Sequence, residues 1–374
     1  MTDRSRSRLE SGATWSDFLA RLKNAGDVIE RTCPEGDLLT KAEGYRYVAR
    51  IARAALETFV ENADPRAPVL QRVVHETAKM GADNPDNFYQ NAAIDGRERY
   101  VLRGTRGTVH FLRFYTQIGD YGKGAGMPPS GRLDASELVL DDEGRFEIHV
   151  ATERPEGAAN WLPMKEDTGT LIIRQTFMDR EKEVLADVTI ERVGAEGGAP
   201  TPPSPELIES GITQAGNLVA GAVMLFANWV DGFEKHTNAL PLFDPEISTS
   251  FGGDPAIDYY HSYWALEPGQ ALVIDAMPPE CEHWNFQLNN HWMESLDYRY
   301  YRIHVNKASA VYRDDGGVRV VVAHEDPGVP NWIDTVDHHR GTMCWRWFFA
   351  KGDAPQPSCR VVPVADVAAL PFAP

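Results

Sequence analysis

Apolar and polar positions alternate over short stretches through most of this chain, and only a few stretches carry a helical period. "RFEIHVA" (145–151) alternates, and "VRVVVAH" (318–324) is apolar over the length of a strand. DDEG and DDGG, just upstream of each, read as turns between strands. In "EHWNFQLNN" (282–290) a strand would turn Trp284, Phe286 and Leu288 to one side. His283, Asn285, Gln287 and Asn289 would face the other. Helical signals precede each β-rich region. Thr40 and Glu43 form a capping box before "GYRYVARIARAALETFVE", which places Tyr45, Val48, Ile51, Ala52, Ala55, Leu56 and Phe59 on one face. Ser204 and Pro205 start a second helix reaching about His236, whose apolar run "LVAGAVMLFANWV" (218–230) reads as buried. Short strands punctuated by Gly and Pro predict a sandwich or jelly roll.

The β-rich unit occurs twice. "SELVLDDEG" from Ser136 and "SAVYRDDGG" from Ser309 align without a gap, and each leads into a strand, a polar loop with Pro155 or Pro327, and Asn-Trp. Each copy then resumes as "GTLIIR" (169–174) or "GTMCWR" (341–346). Upstream, "FYQNAAIDGRERYVLRG" and "YYHSYWALEPGQALVID" share a strand–turn–strand pattern. Several anchors in one order imply duplication. The predicted class is mainly β with helical segments (α+β): tandem duplicated β-sandwich or jelly-roll domains, each preceded by helices. The expected segments are an N-terminal helical part (1–80), a first sandwich (81–192), a Pro/Gly-rich linker and buried helix (193–253), and a second sandwich with a C-terminal tail (254–374). "VGAEGGAPTPPSP" (193–205) is the linker proper.

These motifs, with "AEGYRYVARIARAALE" and "DNPDNFY", resemble the bacterial family of unknown function DUF1214 and its frequent companion DUF1254. The resemblance runs from about Ala42 to Phe349 and also carries "DPGVPNWIDT" and the GTxxxR strand. It implies tandem sandwiches with jelly-roll character. It implies no particular reaction, since the family brings none.

The 374 residues are 43% hydrophobic and 25% charged, enough for two domains with their own cores. A net charge of −18 argues against nucleic acid and anionic membrane, while a neutral or cationic partner is easier to accommodate. The four cysteines share no CxxC spacing and read as buried thiols of a reducing compartment. "MTDRSRSRLESG" leads into no apolar signal core, and the longest apolar run falls short of the ~20 residues that a bilayer needs. A soluble cytoplasmic protein is expected.

Duplication gives an internal control: residues in both copies serve the fold first. Asn160 and Asn331, Arg174 and Arg346, and the aspartate pairs 141/142 and 314/315 fall in that class. The copies differ in chemistry. Seven of eleven histidines (His261, His283, His291, His304, His324, His338, His339) lie in the second sandwich, with Trp264, Trp284, Trp292, Trp332, Trp345 and Trp347. Counted back from the shared Gly-Thr, His338 and His339 stand where the first copy has Glu166 and Asp167. The polar side of "EHWNFQLNN" is either solvent surface or the wall of a cleft.

Three chemistries follow. A divalent metal could take His338 with Asp334 or Asp337, but no HxH or HExxH spacing occurs, and no cofactor is expected. Acid–base catalysis needs only an imidazole tuned by a carboxylate: His324 or His338 with Asp326 or Asp334. A nucleophile lacks a GxSxG elbow or cysteine context. "GDYGKGAG" from Gly119 has no GKS/T ending and reads as a flexible loop. The leading expectation is an enzyme, a hydrolase or lyase, acting on a small neutral hydroxyl- or carbonyl-bearing molecule. His338, His324, His283 and Asp334 would be its catalytic groups, and His261, Asn285, Gln287, Trp284, His339 and Arg346 its binding groups. The alternatives are a non-catalytic small-molecule or carbohydrate binder and a homo-oligomeric assembly module. Binding alone would show a cleft of aromatics and amides with the histidines outside it.

Overall fold

The computed structural model describes residues 2–119, 126–195 and 202–374. Most of the glycine-rich loop from Gly119, and the middle of the 193–205 linker, lie outside the described residues. The chain divides into two compact units: Met1–Val28, Val48–Ala78 and Asp86–Val223 form the first, and Ile29–Tyr47, Lys79–Pro85 and Met224–Pro374 the second. Residues 29–47, which the sequence groups with the N-terminal helices, therefore belong with the second sandwich.

Each unit contains an eight-stranded sandwich. In the first, strands β1 (Asn87–Ala93), β2 (Tyr100–Thr105), β3 (Phe111–Ile118), β4 (Pro129–Asp134), β5 (Arg145–Ala151), β6 (Asn160–Pro163), β7 (Thr168–Thr176) and β8 (Asp187–Arg192) form sheets ordered β1-β7-β3-β4 and β6-β5-β2-β8. In the second, β9 (Ile257–Ala265), β10 (Gln270–Ala276), β11 (His283–Leu288), β12 (His304–Asn306), β13 (Val318–Ala323), β14 (Trp332–Asp334), β15 (Arg340–Phe348) and β16 (Ser358–Pro363) form β9-β15-β11-β12 and β14-β13-β10-β16. Strand for strand the orders are the same, down to the parallel pairs β5–β6 and β13–β14. The duplication read from the turns is a duplication of topology.

The shared residues act as braces. Asn160 accepts from the Val139 N–H (2.7 Å) and donates to the carbonyls of Val139 (2.9 Å) and Glu147 (3.0 Å). Asn331 does the same with Val311 (2.8 and 2.8 Å) and Arg319 (2.9 Å). Trp161 and Trp332 each donate their indole N–H to a strand carbonyl at 3.0 Å, Ala151 and Ala323 respectively. These bonds also correct the gapless turn alignment by one residue. Val139 matches Val311, and the hairpin bonds that close on Asp141 in the first copy close on Arg313 in the second. Turn geometry, rather than the Asp-Asp doublet, sets the equivalence.

Both cores form where strands bury alternate apolar positions. Tyr100, Leu102, Phe114, Ile148, Leu171 and Ile173 meet in the first. The second is built on Trp264, Trp284, Trp345 and Trp347, all fully buried, with the rings of Trp284 and Trp345 stacked at 5.1 Å. The tryptophan excess of this copy therefore fills a core, and Trp284 cannot meet a ligand as the sequence suggested.

The helices are α1 (Asp3–Glu10), α2 (Ala13–Thr32), α3 (Leu38–Leu56), α4 (Pro205–Phe233) and α5 (Pro245–Ser250). Ser204 caps α4 as expected, its hydroxyl accepting from Leu207 N–H at 3.1 Å. By length and composition α4 and its 3₁₀ extension could cross a membrane; 44% of its most apolar window is buried. The α3 cap is corrected. Asp37, not Thr40, caps it, accepting from the Thr40 N–H at 2.9 Å and its hydroxyl at 2.8 Å. Glu43 is thereby free for another partner. The buried stripe of α3 is also rotated: Tyr47, Ile51, Ala54, Ala55 and Phe59 are buried, while Tyr45 is exposed. Gly44 explains the rotation, since a Cβ there would lie 2.5 Å from Ile29 and 2.8 Å from Trp292. Its absence lets the Trp292 indole reach the Thr40 carbonyl at 2.7 Å.

Candidate functional site

His338 is 7% exposed and fully engaged. Its Nδ1 lies 3.0 and 2.7 Å from the carbonyls of Thr335 and Val336, and its Nε2 lies 3.0 Å from Glu43 Oε2. Carbonyls only accept, so Nδ1 carries a proton, and the carboxylate favours a second on Nε2. Burial opposes the charge, but the Glu43 hydrogen bond and charge outweigh it and raise the His338 pKa. Burial likewise opposes ionisation of Glu43, yet His338 and Arg46 hold its carboxyl below the usual range. The pair is a buried imidazole–carboxylate contact that favours the ionised forms, with both ring nitrogens engaged. Asn290 and Glu294 continue the network at 2.9 Å.

The neighbours expected from sequence do not bond the His338 ring. Asp334 accepts from the Val336 N–H at 2.8 Å and shapes the turn. His324 holds Thr335 Oγ1 at 2.9 Å and the Leu266 carbonyl at 3.1 Å. His339 is exposed, its ring 5.1 Å from that of His324. His283 is buried against Phe348. His338, His324 and Asp334 all bond to residue 335 or 336 but, among the described residues, not to one another, and neither carboxylate of the metal alternative bonds His338. Among the described residues no cluster of three or more His, Cys, Asp or Glu could hold a metal.

The polar side of β11 is neither solvent surface nor an open cleft. Asn285, Gln287 and Asn289 are completely buried. Residues 79–85 cover two of them: Asn285 donates to Asn84 Oδ1 (2.7 Å) and Gln287 to the Asp83 carbonyl (2.9 Å), while Asn289 accepts from Gln287 (2.5 Å) and donates to Thr342 Oγ1 (3.2 Å). Arg346 donates to Gln287 Oε1 (2.5 Å) and the Ala82 carbonyl (2.5 Å). Asp83 in turn takes the N–H and hydroxyl of Ser295 at 2.9 and 2.8 Å. The amides of this face that could have received a ligand instead receive the chain. His261 is stacked between Phe233 and Tyr259, with its Nε2 3.8 Å from Cys344 Sγ. Burial lowers its pKa to about 3 and pushes the Cys344 thiol up to about 11, so near neutral pH neither is ionised and the thiol is a poor nucleophile. All four cysteines are free; Cys281 and Cys344 are buried, Cys33 and Cys359 half-buried.

In the first unit a cavity of about 580 Å³ opens beside β1 and the β6–β7 loop. Its apolar wall includes Phe59, Val73, Ala92, Ile94 and Leu207, and its amides are Gln71, Asn91 and Gln214. No histidine lines it. The wall forms because α3 ends in a π-turn, Glu57–Glu61, closed by Asn62 N–H on the Glu57 carbonyl at 3.1 Å. A Cβ on Gly211 would sit 2.1 Å from the Phe59 carbonyl, so only glycine lets α4 pass this turn. Sequence reading missed this cavity. Its one signal, Glu166 and Asp167 at the places of His338 and His339, drew attention to the other copy.

Among solved structures, an uncharacterised protein of Burkholderia cenocepacia is 47% identical, with a TM-score of 0.92 over 97% of this chain and 99% of its own. A protein of Vibrio parahaemolyticus is 13% identical, with a TM-score of 0.49 over 91% of this chain and all of its own. No curated protein matches. The family described as a protein of unknown function, DUF1214, matches twice, at residues 89–176 and 270–351. One match falls in each sandwich, with the same strand order in both, and the chain belongs to that family.

Proposed function

We propose that the protein binds a small organic molecule in the first-unit cavity and does not run histidine acid–base chemistry in its second sandwich. The observation that carries this reading is the division of labour between the copies. A cavity of about 580 Å³, within the usual size range of ligand sites, combines an apolar wall with three amides and lies apart from the histidines. The histidine–carboxylate pair of the second copy has no ring nitrogen left to exchange a proton with a substrate. The test is a thermal-shift screen of a metabolite pool, followed by mass spectrometry of what the protein retains. Hits should raise the Tm of the wild type and be recovered chemically unchanged. The effect should vanish in Leu207→Trp, which fills the cavity. Turnover of the retained molecule, or stabilisation that survives Leu207→Trp and is lost in His339→Ala, would overturn the proposal.

A further inference from the structure

Resting on that reading, we infer that the occupant is a compact organic cation, an amine with an apolar body, held by the Asn91 amide and the carboxylates of the β6–β7 loop. Three observations converge. First, β1 brings Asn91 into the cavity lining beside Ala92, Ala93 and Ile94. Asn91 is 5% exposed, yet its side-chain amide makes no hydrogen bond among the described residues. An amide with no protein partner at the edge of a cavity can take a ligand donor or acceptor in place of water. Gln71 points the same way: its Oε1 accepts from Asn62 at 3.2 Å, while its NH₂ has no protein partner among the described residues.

Second, the ionised groups lining the cavity leave an excess of negative charge. Asp95, Glu166 and Asp167 face one guanidinium, Arg97. Arg97 is held by Asp95 through two bonds, 2.9 and 2.5 Å, so that pair is internally neutral. Glu166 and Asp167 are exposed and form no ion pair among the described residues. The field at the cavity therefore favours a cation, and the net charge of −18 favours its approach. Third, the second copy shows what the same places do when a partner is built in. His338, at the place of Glu166, is satisfied by the Glu43 carboxylate. His261, the β9 counterpart of Asn91, is packed among Phe233, Tyr259 and Phe243, outside the lining of the Asn91 cavity. In the first copy the loop carries carboxylates and the strand residue borders a cavity.

The experiment is calorimetric titration of the whole chain with two matched series: hexylamine, hexan-1-ol and hexanoate, and 2-phenylethylamine, 2-phenylethanol and phenylacetate. The amines should bind more tightly than their neutral and anionic counterparts, and more weakly at high salt. Glu166→Gln with Asp167→Asn should weaken the amines about five- to tenfold, as two partly exposed ion pairs would, and leave the alcohols unchanged. Asn91→Leu should weaken the amines. Alcohols or carboxylates that bind as well as the amines, a double variant that binds the amines normally, or unchanged amine binding in Asn91→Leu would each refute the cation. Failure of all six probes would also refute it. In that case metabolite hits lost in Leu207→Trp would leave the binding reading standing, and their absence would remove both.

Discussion

Asn160 and Asn331 make the same three hydrogen bonds in different backbone conformations, so one substitution made twice separates two energies. Asn331 has φ 55°, whereas Asn160 begins β6 without a positive φ. Truncation to Ala removes one acceptor and two donor bonds at each site, at about 1 kcal/mol net apiece. Val311 is 56% exposed and Val139 60%, so water recovers part of the loss, leaving about 2 kcal/mol. At position 331, Ala must also adopt the left-handed region, which costs roughly 1 kcal/mol more. Asn331→Ala should therefore cost about 3 kcal/mol and Asn160→Ala about 2. Glycine reverses its rank between the copies: milder than Ala at 331, where it relieves the strain, and harsher by about 0.5 kcal/mol at 160, where it only adds chain entropy. Urea denaturation followed by tryptophan fluorescence measures all four variants. Equal costs at the two sites, or the same Ala–Gly order at both, would refute the shared-brace argument.

Two further perturbations bear on the second unit. The raised pKa of His338 makes its stabilisation complete below its ordinary value of 6.5 and lost as pH rises through the folded value. The lowered pKa of Glu43 makes its contribution complete above 4.5 and lost as pH falls through the folded value. His338→Gln should thus cost about 3 kcal/mol near pH 5.5 and clearly less at pH 9; a loss independent of pH would show that the pair is not ionic. Gly44→Ala should lower stability by about 1–3 kcal/mol through overpacking against Ile29 and Trp292, seen as a Tm drop of roughly 2–4 °C per kcal/mol. An unchanged Tm would mean that α3 shifts freely.

Local chemistry was legible in the sequence and long-range coverage was not. The Asn-Trp braces, the alternation of β11 and the α4 cap depend on neighbours along the chain or across one turn, and the pattern of residues carries that information. Glu43 pairs with a histidine 295 residues away. Its signal was present as a carboxylate four residues before Tyr47 on the buried stripe of α3, but a plausible capping box accounted for it. Asp83 and Asn84 stand in "DNPDNFY", yet nothing local says that they cover the far side of β11. A strand's period reveals that it has two faces. Which segment covers the second face depends on the fold as a whole.

That distinction bears on where activity belongs in a duplicated chain. The copy richer in histidine, tryptophan and amides looked specialised for chemistry, because those residues are common in active sites. They are equally suited to holding irregular segments, since an imidazole or amide satisfies backbone groups that a helix end or loop leaves open. In the second unit they hold residues 29–47 and 79–85, through Glu43 on His338, Thr40 on Trp292 and Asn84 on Asn285. Each bond made this way removes a group from ligand recognition. At the matching strand positions the first copy places Arg113 where the second has Asn285, and Tyr115 where it has Gln287. It also keeps Asn91 where the second has His261, in the lining of an open cavity. Polar richness records how much of a surface the chain itself must satisfy, and a binding site is better sought where polar groups border open space. We therefore place the proposed ligand in the chemically plainer copy, whose cavity Gln71, Asn91 and Gln214 line.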